Sequence, residues 1–355
     1  MKKIITIIFL TFSSVLIGQE IDSTKIKQIE MYGKIMYEMN SIAFKEHKYY
    51  SKLDKDYKLP WMVEKYKLNQ LENALDTLIK NSKIEIKQGT FSGLSLEFNS
   101  SFPNYIDEGL SDIFKLTIKT NKIINQNKEL IKINSNGSSG FGSNSISRLK
   151  NGKYYNNKWR TINSRFNIRS EEKKEGLKGT IIFNSGFVID YDFIKIDKSS
   201  IGKSLFIGDI EFTVIDIIEN KIILDFKQDI KDIKFEFVNL DKKGNKISQI
   251  PYFDFEKLKK EGKIPSETTF QGTGSQTIYK SEFDLFKLNS NLSYVEYKVF
   301  AYPKFEEIVN SENKKETAKK VWGKKYLLFN SADKIQNFYL YKPKYIEKEF
   351  EMEIK

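Results

Sequence analysis

Between Ser147 and Arg169 the sequence reads SRLKNGKYYNNKWRTINSRFNIR, and side chains able to grip a ligand are most concentrated here. The window holds every arginine of the chain, Arg148, Arg160, Arg165 and Arg169, together with Lys150, Lys153 and Lys158. It contains no acid, and Tyr154, Tyr155, Trp159 and Phe166 are interleaved with the cations. Arginine offers a planar fork of donors that fits phosphate, sulfate or carboxylate, and flat aromatic rings fit the faces of sugars and bases. Arg148, Lys150, Lys153, Tyr154, Trp159, Arg160, Arg165 and Arg169 therefore form the candidate binding surface. An ordinary hairpin with its aromatics packed inward and its basic residues solvated would carry the same pattern.

Reactive chemistry is harder to find. His47, in the hydrophilic run FKEHKYY, is the only histidine. A general-base histidine needs an orienting carboxylate and a nucleophile. Glu46 adjoins it, but no serine motif supplies the nucleophile, so a solvated helix residue is expected. The absence of cysteine excludes disulfides, thiolate nucleophiles and thiolate metal sites. Zinc of the usual kind needs several His or Cys ligands. The Asp-rich stretches at 190–197 and 225–232 lack the residue order of a calcium loop. The run NSNGSSGFGSNSIS at 134–147 matches neither the P-loop nor the dinucleotide fingerprint, and GxSxG is absent, so a flexible connection is expected. No catalytic residue, metal ligand or cofactor is assigned. A glycosidase needs only two suitably placed acids. The most specific pair is Asp190 and Asp192 in FVIDYDFIK, on one face of an expected strand, a pattern that any solvated strand edge shares.

The elements that must hold the basic window follow from periodicity. Asn151-Gly152 between SRLK and KYY is a two-residue hairpin turn, because both central positions need positive φ. Before it, a helix over 23–50 would present Ile26, Ile29, Tyr32, Met36, Met39 and Ala43 on one face. A second, opening at Pro60, would bury Val63, Leu71, Ala74, Leu75 and Leu78, and together they suggest an αα-hairpin. KIEIK, SLEFN, FKLTIK and ELIKIN then read as strands. EEKKEG at 171–176 reads as a solvated linker. From 177 onward, β-branched and aromatic runs are broken by turn residues every 8–12 positions, as in an antiparallel sandwich or barrel. Strands are expected at 180–183, 187–196, 211–218, 221–226, 233–240, 282–287, 293–302, 321–329 and 337–341. SENKKETAKK at 311–320 is expected as an exposed loop, and EKEFEMEIK as a closing half-buried strand. The layout of 177–330 is similar, in spacing only, to immunoglobulin-like sandwiches; it lacks their Cys…Trp…Cys core, and the likeness implies architecture without function.

The expected organisation is thus a leader at 1–18, an α+β domain at 19–176 and an immunoglobulin-like, all-β sandwich at 177–355. Length supports two domains, and 39% hydrophobic against 30% charged residues is too apolar for disorder. MKKIITIIFLTFSSVLIG has the basic start and short apolar run of a cleaved signal peptide, with Gln19 as the first mature residue. No cysteine follows it to take a lipid, so a periplasmic or secreted protein without a transmembrane anchor is expected. The formal charge is +12; losing Lys2 and Lys3 with the leader leaves 57 basic against 47 acidic residues, or +10. That excess favours acidic partners. The expected role is non-enzymatic binding or structure at the cell envelope, through contact with an anionic polymer or another envelope protein, nucleic acid not being expected there. A carboxylate-dependent hydrolase of a glycan or other envelope polymer is the competing expectation.

Overall fold

The structure is a computed structural model that describes residues 23–45, 49–63, 66–89, 93–106, 109–168, 174–230, 233–268, 270 and 272–354. The expected leader, His47 and Arg169 lie outside these residues. In chain order the elements are α1 (Ser23–Phe44), β1 (Ser51–Asp54), α2 (Leu68–Lys80), β2 (Lys83–Gly89), β3 (Gly93–Ser101), α3 (Leu110–Ile113), β4 (Phe114–Asn121), β5 (Ser138–Lys150), β6 (Lys153–Asn167) and β7 (Gly179–Ile196). There follow β8 (Ser204–Ile207), β9 (Ile210–Ile218), β10 (Lys221–Phe226), β11 (Glu236–Leu240), β12 (Lys246–Gln249) and α4 (Tyr252–Lys260). The chain closes with β13 (Gly274–Tyr279), α5 (Lys280–Leu288), α6 (Tyr294–Asn310), α7 (Lys314–Trp322), β14 (Lys325–Asn330) and β15 (Asn337–Ile354). The strands form three mostly antiparallel, sandwich-like sheets accompanied by helices.

Two compact units are each assembled from separate stretches: 58–193 with 233–236 and 341–355, and 1–57 with 194–232 and 237–340. In the first, a four-stranded sheet has the order β2-β3-β6-β5, and β4, β7 and β15 are neighbouring strands of another. Alternation puts Phe98 of β3, Phe166 of β6 and Phe183 of β7 on inward faces, where each is 0% exposed. Phe183 meets Phe98 at 5.3 Å, Phe166 at 5.7 Å and Phe350 of β15 at 5.5 Å between ring centroids. Leu71, Ala74, Leu75 and Leu78 of α2, spaced at helical steps, join the same core.

The second unit holds a five-stranded sheet of order β13-β14-β10-β9-β8, and the run β1-β12-β11. Its core gathers α1, α5 and α6: Phe44 stacks on Phe286 at 5.4 Å, and Tyr37 lies 5.6 Å from Tyr297. The expected αα-hairpin is therefore corrected, since α1 finds its apolar partners on α5 and α6 while α2 packs on β3. Along α1 the buried residues are Ile29, Gly33, Asn40, Ser41, Ala43 and Phe44, whereas Tyr32 and Met39 are exposed.

An all-β region over 177–355 is corrected as well. Helices α4 to α7 occupy much of 252–322, including 282–287 and 293–302, expected as strands, and the expected loop at 311–320. Ser293 accepts from the Glu296 backbone N–H while Glu296 caps the Ser293 N–H, and this reciprocal cap starts α6 despite its β-favouring Tyr, Val and Phe. Asn313 caps α7 in the same way, without the reciprocal bond. Elsewhere the periodicity is realised: β9, β10 and the Glu219 turn (φ 52°) lie where expected, and 180–183 with 187–196 merge into β7.

Candidate functional site

The Asn151-Gly152 turn forms as expected, with φ 52° and 72°. Cα partners run without a shift from Lys150↔Lys153 back to Ser138↔Arg165, so the hairpin extends well into the stretch expected as a flexible connection. That expectation is corrected. Gly has low strand propensity, but all thirteen residues of β5 are held in unbroken register with β6. A Cβ on Gly142 would meet Thr161 Oγ1 at 2.8 Å, so that hydroxyl would have to turn aside.

Near its base the hairpin is part of the sheet, with Ile162, Ser164 and Phe166 buried. From 142 to 150 and from 153 to 158 every residue is exposed, on both faces. Where both strands are exposed, at 145–150 and 153–158, this distal part is a two-stranded ribbon of roughly 20 Å standing in solvent. Tyr154 is 80% and Tyr155 56% exposed, so the alternative of inward-packed aromatics does not describe its tip.

Alternation divides the candidate residues between two faces. Arg148, Lys150, Lys153, Trp159 and Arg165 share one face with Tyr155 and Ile146. Tyr154 and Arg160 lie on the other with Leu149 and Lys158. Their electrostatic situations differ. Arg165 reaches Glu97 of β3 at 3.4 Å, and Glu97 also bonds Lys87 at 2.7 Å; the Lys87 bond first, then Asn163 and Arg165, hold that carboxyl below its usual range against burial. Arg165 is thus partly committed within the sheet. Arg160 donates to the Ser143 hydroxyl. Among the described residues no ion pair involves Arg148, Lys150, Lys153 or Lys158. From Leu130 to Ser170 the chain has no acid at all.

Beside the inner face lies an open groove of about 280 Å³, lined by Asn104, Ile106, Ser143, Ser145, Lys158 and Arg160, with Asn144 and Trp159 at its wall. Sequence reasoning missed Asn104, Ser143 and Ser145. The two serines were legible in principle: counting outward from the turn places Ser145 opposite Lys158 and Ser143 opposite Arg160. Asn104 comes from a loop and has no local signal. The groove combines two cations with hydroxyl and amide groups, which suits an anionic, hydrogen-bonding ligand.

The carboxylate candidates are arranged otherwise. Asp192 pairs with Lys344 at 2.7 Å and Lys342 at 3.9 Å, and its hydrogen bond raises the Lys344 ammonium above its ordinary value. The nearby aromatics turn away from the acids, because Tyr191 and Phe193 alternate with Asp190 and Asp192. Trp61 stacks on Phe193 at 4.2 Å, and burial pushes the Tyr191 hydroxyl up to about 12. Among the described residues, no group of three or more His, Cys, Asp or Glu is placed to hold a metal ion.

Among the described residues the most deeply buried carboxyl is Glu282 of α5, 0% exposed. Its Oε1 accepts a 2.8 Å bond from the Tyr297 hydroxyl, and the Asn40 amide is buried beside the carboxyl. Burial raises its pKa above the usual carboxylate range, against the Tyr297 bond that favours the anion. With Tyr297 also 0% exposed, no ligand reaches the pair in this conformation. Its consequence is for stability. A folded-state pKa above the ordinary 4.5 gives a contribution fully present below that pH and lost as pH rises through the folded value. Denaturant titrations across pH are expected to show this loss in the wild type and not in Glu282→Gln; parallel curves would contradict it.

The sequence matches no protein-family model and no curated protein. Among the described residues, no helix is long and apolar enough to cross a membrane.

Proposed function

We propose that this chain is an extracytoplasmic binding protein of the cell envelope, acting through the solvent-standing basic ribbon on an anionic partner, polymer or protein. One observation carries the reading: the distal ribbon buries neither face, yet it presents Arg148, Lys150, Lys153 and Lys158 without acids and Tyr154 and Tyr155 largely bare. Such residues are costly to leave as idle surface, because bare aromatics favour association. The extracytoplasmic setting rests on the leader-like composition of 1–18.

The test is excision of the ribbon. Joining Gly142 to Thr161, a pair that bonds across the ladder, through Asn-Gly rebuilds the turn nearer the sheet. The shortened chain is expected to keep its unfolding transition and to lose retention on dextran sulfate, with neutral dextran as the control. Undiminished retention would sink the ribbon as the contact element. Sequencing the amino terminus of the exported chain reads the compartment: Gln19 supports it, and a cytoplasmic chain that keeps Met1 refutes it.

A further inference from the structure

We infer that the free edge of β5 receives an extended acidic segment of a partner polypeptide as an additional antiparallel strand. This rests on the reading of the ribbon as the contact element and names the partner's chemistry. β5 closes one side of the four-stranded sheet, and among the described residues it is paired with β6 alone. Its thirteen residues contain no proline and the register with β6 has no bulge; of the usual devices that blunt an edge it carries only the charges Arg148 and Lys150, which repel a second basic ribbon and attract an acidic strand.

The direction of the backbone groups follows from the turn. A two-residue loop makes Lys150 and Lys153 a hydrogen-bonded pair, so Lys150 and every second residue back to Ser138 bond to β6. The N–H and C=O groups of Ser139, Phe141, Ser143, Ser145, Ser147 and Leu149 therefore point to the open side. That row is a template for strand addition.

Two observations select the occupant. A two-stranded ribbon with both faces in water is marginally stable, and a third strand supplies the missing ladder. The charge is one-signed: a second copy of the ribbon would bring more cations to an acid-free arm, whereas an acidic strand neutralises it. Arg148 and Lys150 bond to β6, so toward an incoming strand they occupy the closely spaced, non-hydrogen-bonded positions. Acids two residues apart near one end of the partner strand would face them.

The probe is a fluorescent peptide of about ten residues alternating threonine with glutamate, in three forms: unmodified, and N-methylated at either alternate set of amides. Strand addition predicts that one methylated set binds like the parent and the other at least tenfold more weakly. Ser145→Pro with Ser147→Pro removes outward N–H groups and leaves the β6 ladder intact, as edge positions tolerate. This variant is expected to lose at least tenfold in peptide affinity while keeping its unfolding transition. Equal binding by both methylated sets, with no effect of the prolines, would overturn strand addition. Retention on dextran sulfate without any peptide binding would overturn it too, and leave the broader reading standing. Failure with both probes would overturn both. A concentration-dependent dimer abolished by the prolines would assign the edge to a second copy and overturn the acidic partner.

Discussion

Replacing Phe183 with alanine is expected to lower the stability of its unit by about 3–5 kcal/mol, the range for deleting a buried phenylalanine ring. The side chain is 0% exposed and lies between Phe98, Phe166 and Phe350, which come from three other strands. Those strands are held in place by the core, so the cavity cannot collapse at a single neighbour's expense. A fall of roughly 10 °C in the melting temperature of that unit corresponds to such a loss. Tyr154→Ala, at the bare tip, is expected to change stability by less than about 0.5 kcal/mol. Calorimetry of both variants checks the contrast. Equal effects would mean that the tip is packed, contrary to its 80% exposure.

The second large effect concerns binding. Arg148→Ala, Lys150→Ala and Lys153→Ala together remove three cations that lack acid partners among the described residues. Each exposed charge contributes about 0.2–1 kcal/mol against an opposite charge at moderate salt. Affinity for dextran sulfate should therefore fall by about three- to a hundred-fold. The control removes the same charge elsewhere, through alanine at Lys198, Lys242 and Lys243, all exposed in the other unit. If the two triple variants lose affinity alike, the net charge of the chain is binding and the ribbon has no special part.

The ribbon was more legible in the sequence than the fold around it. Asn151-Gly152 is a local signal, and the register it sets needs no knowledge of the rest of the chain. The faces on which Arg148 and Arg160 lie follow from that register by counting. What hid the length of β5 was its Gly/Ser composition, which reads as a flexible connection unless the partner strand is known. Helix α6 departs from the expected strand because its Tyr, Val and Phe favour β structure, whereas the Ser293–Glu296 cap starts a helix there. The placement of α1 on α5 and α6 depends on contacts across more than 240 residues of sequence, such as Tyr37 to the Leu292 carbonyl at |i−j| 255, and nothing local encodes these. Asn104 in the groove is invisible for the same reason.

Salt dependence tests the central claim most directly, because it counts the charges in contact. Binding of a dense polyanion releases counterions, and the slope of log K against log salt is about −0.7 per contacting cation for a flexible strand. Measured from low to high salt, the ribbon triple variant is expected to show a slope shallower than wild type by about 2, while the Lys198, Lys242 and Lys243 control keeps the wild-type slope. A ribbon variant whose slope equals that of the wild type would contradict the assignment of this arm as the surface that meets the partner.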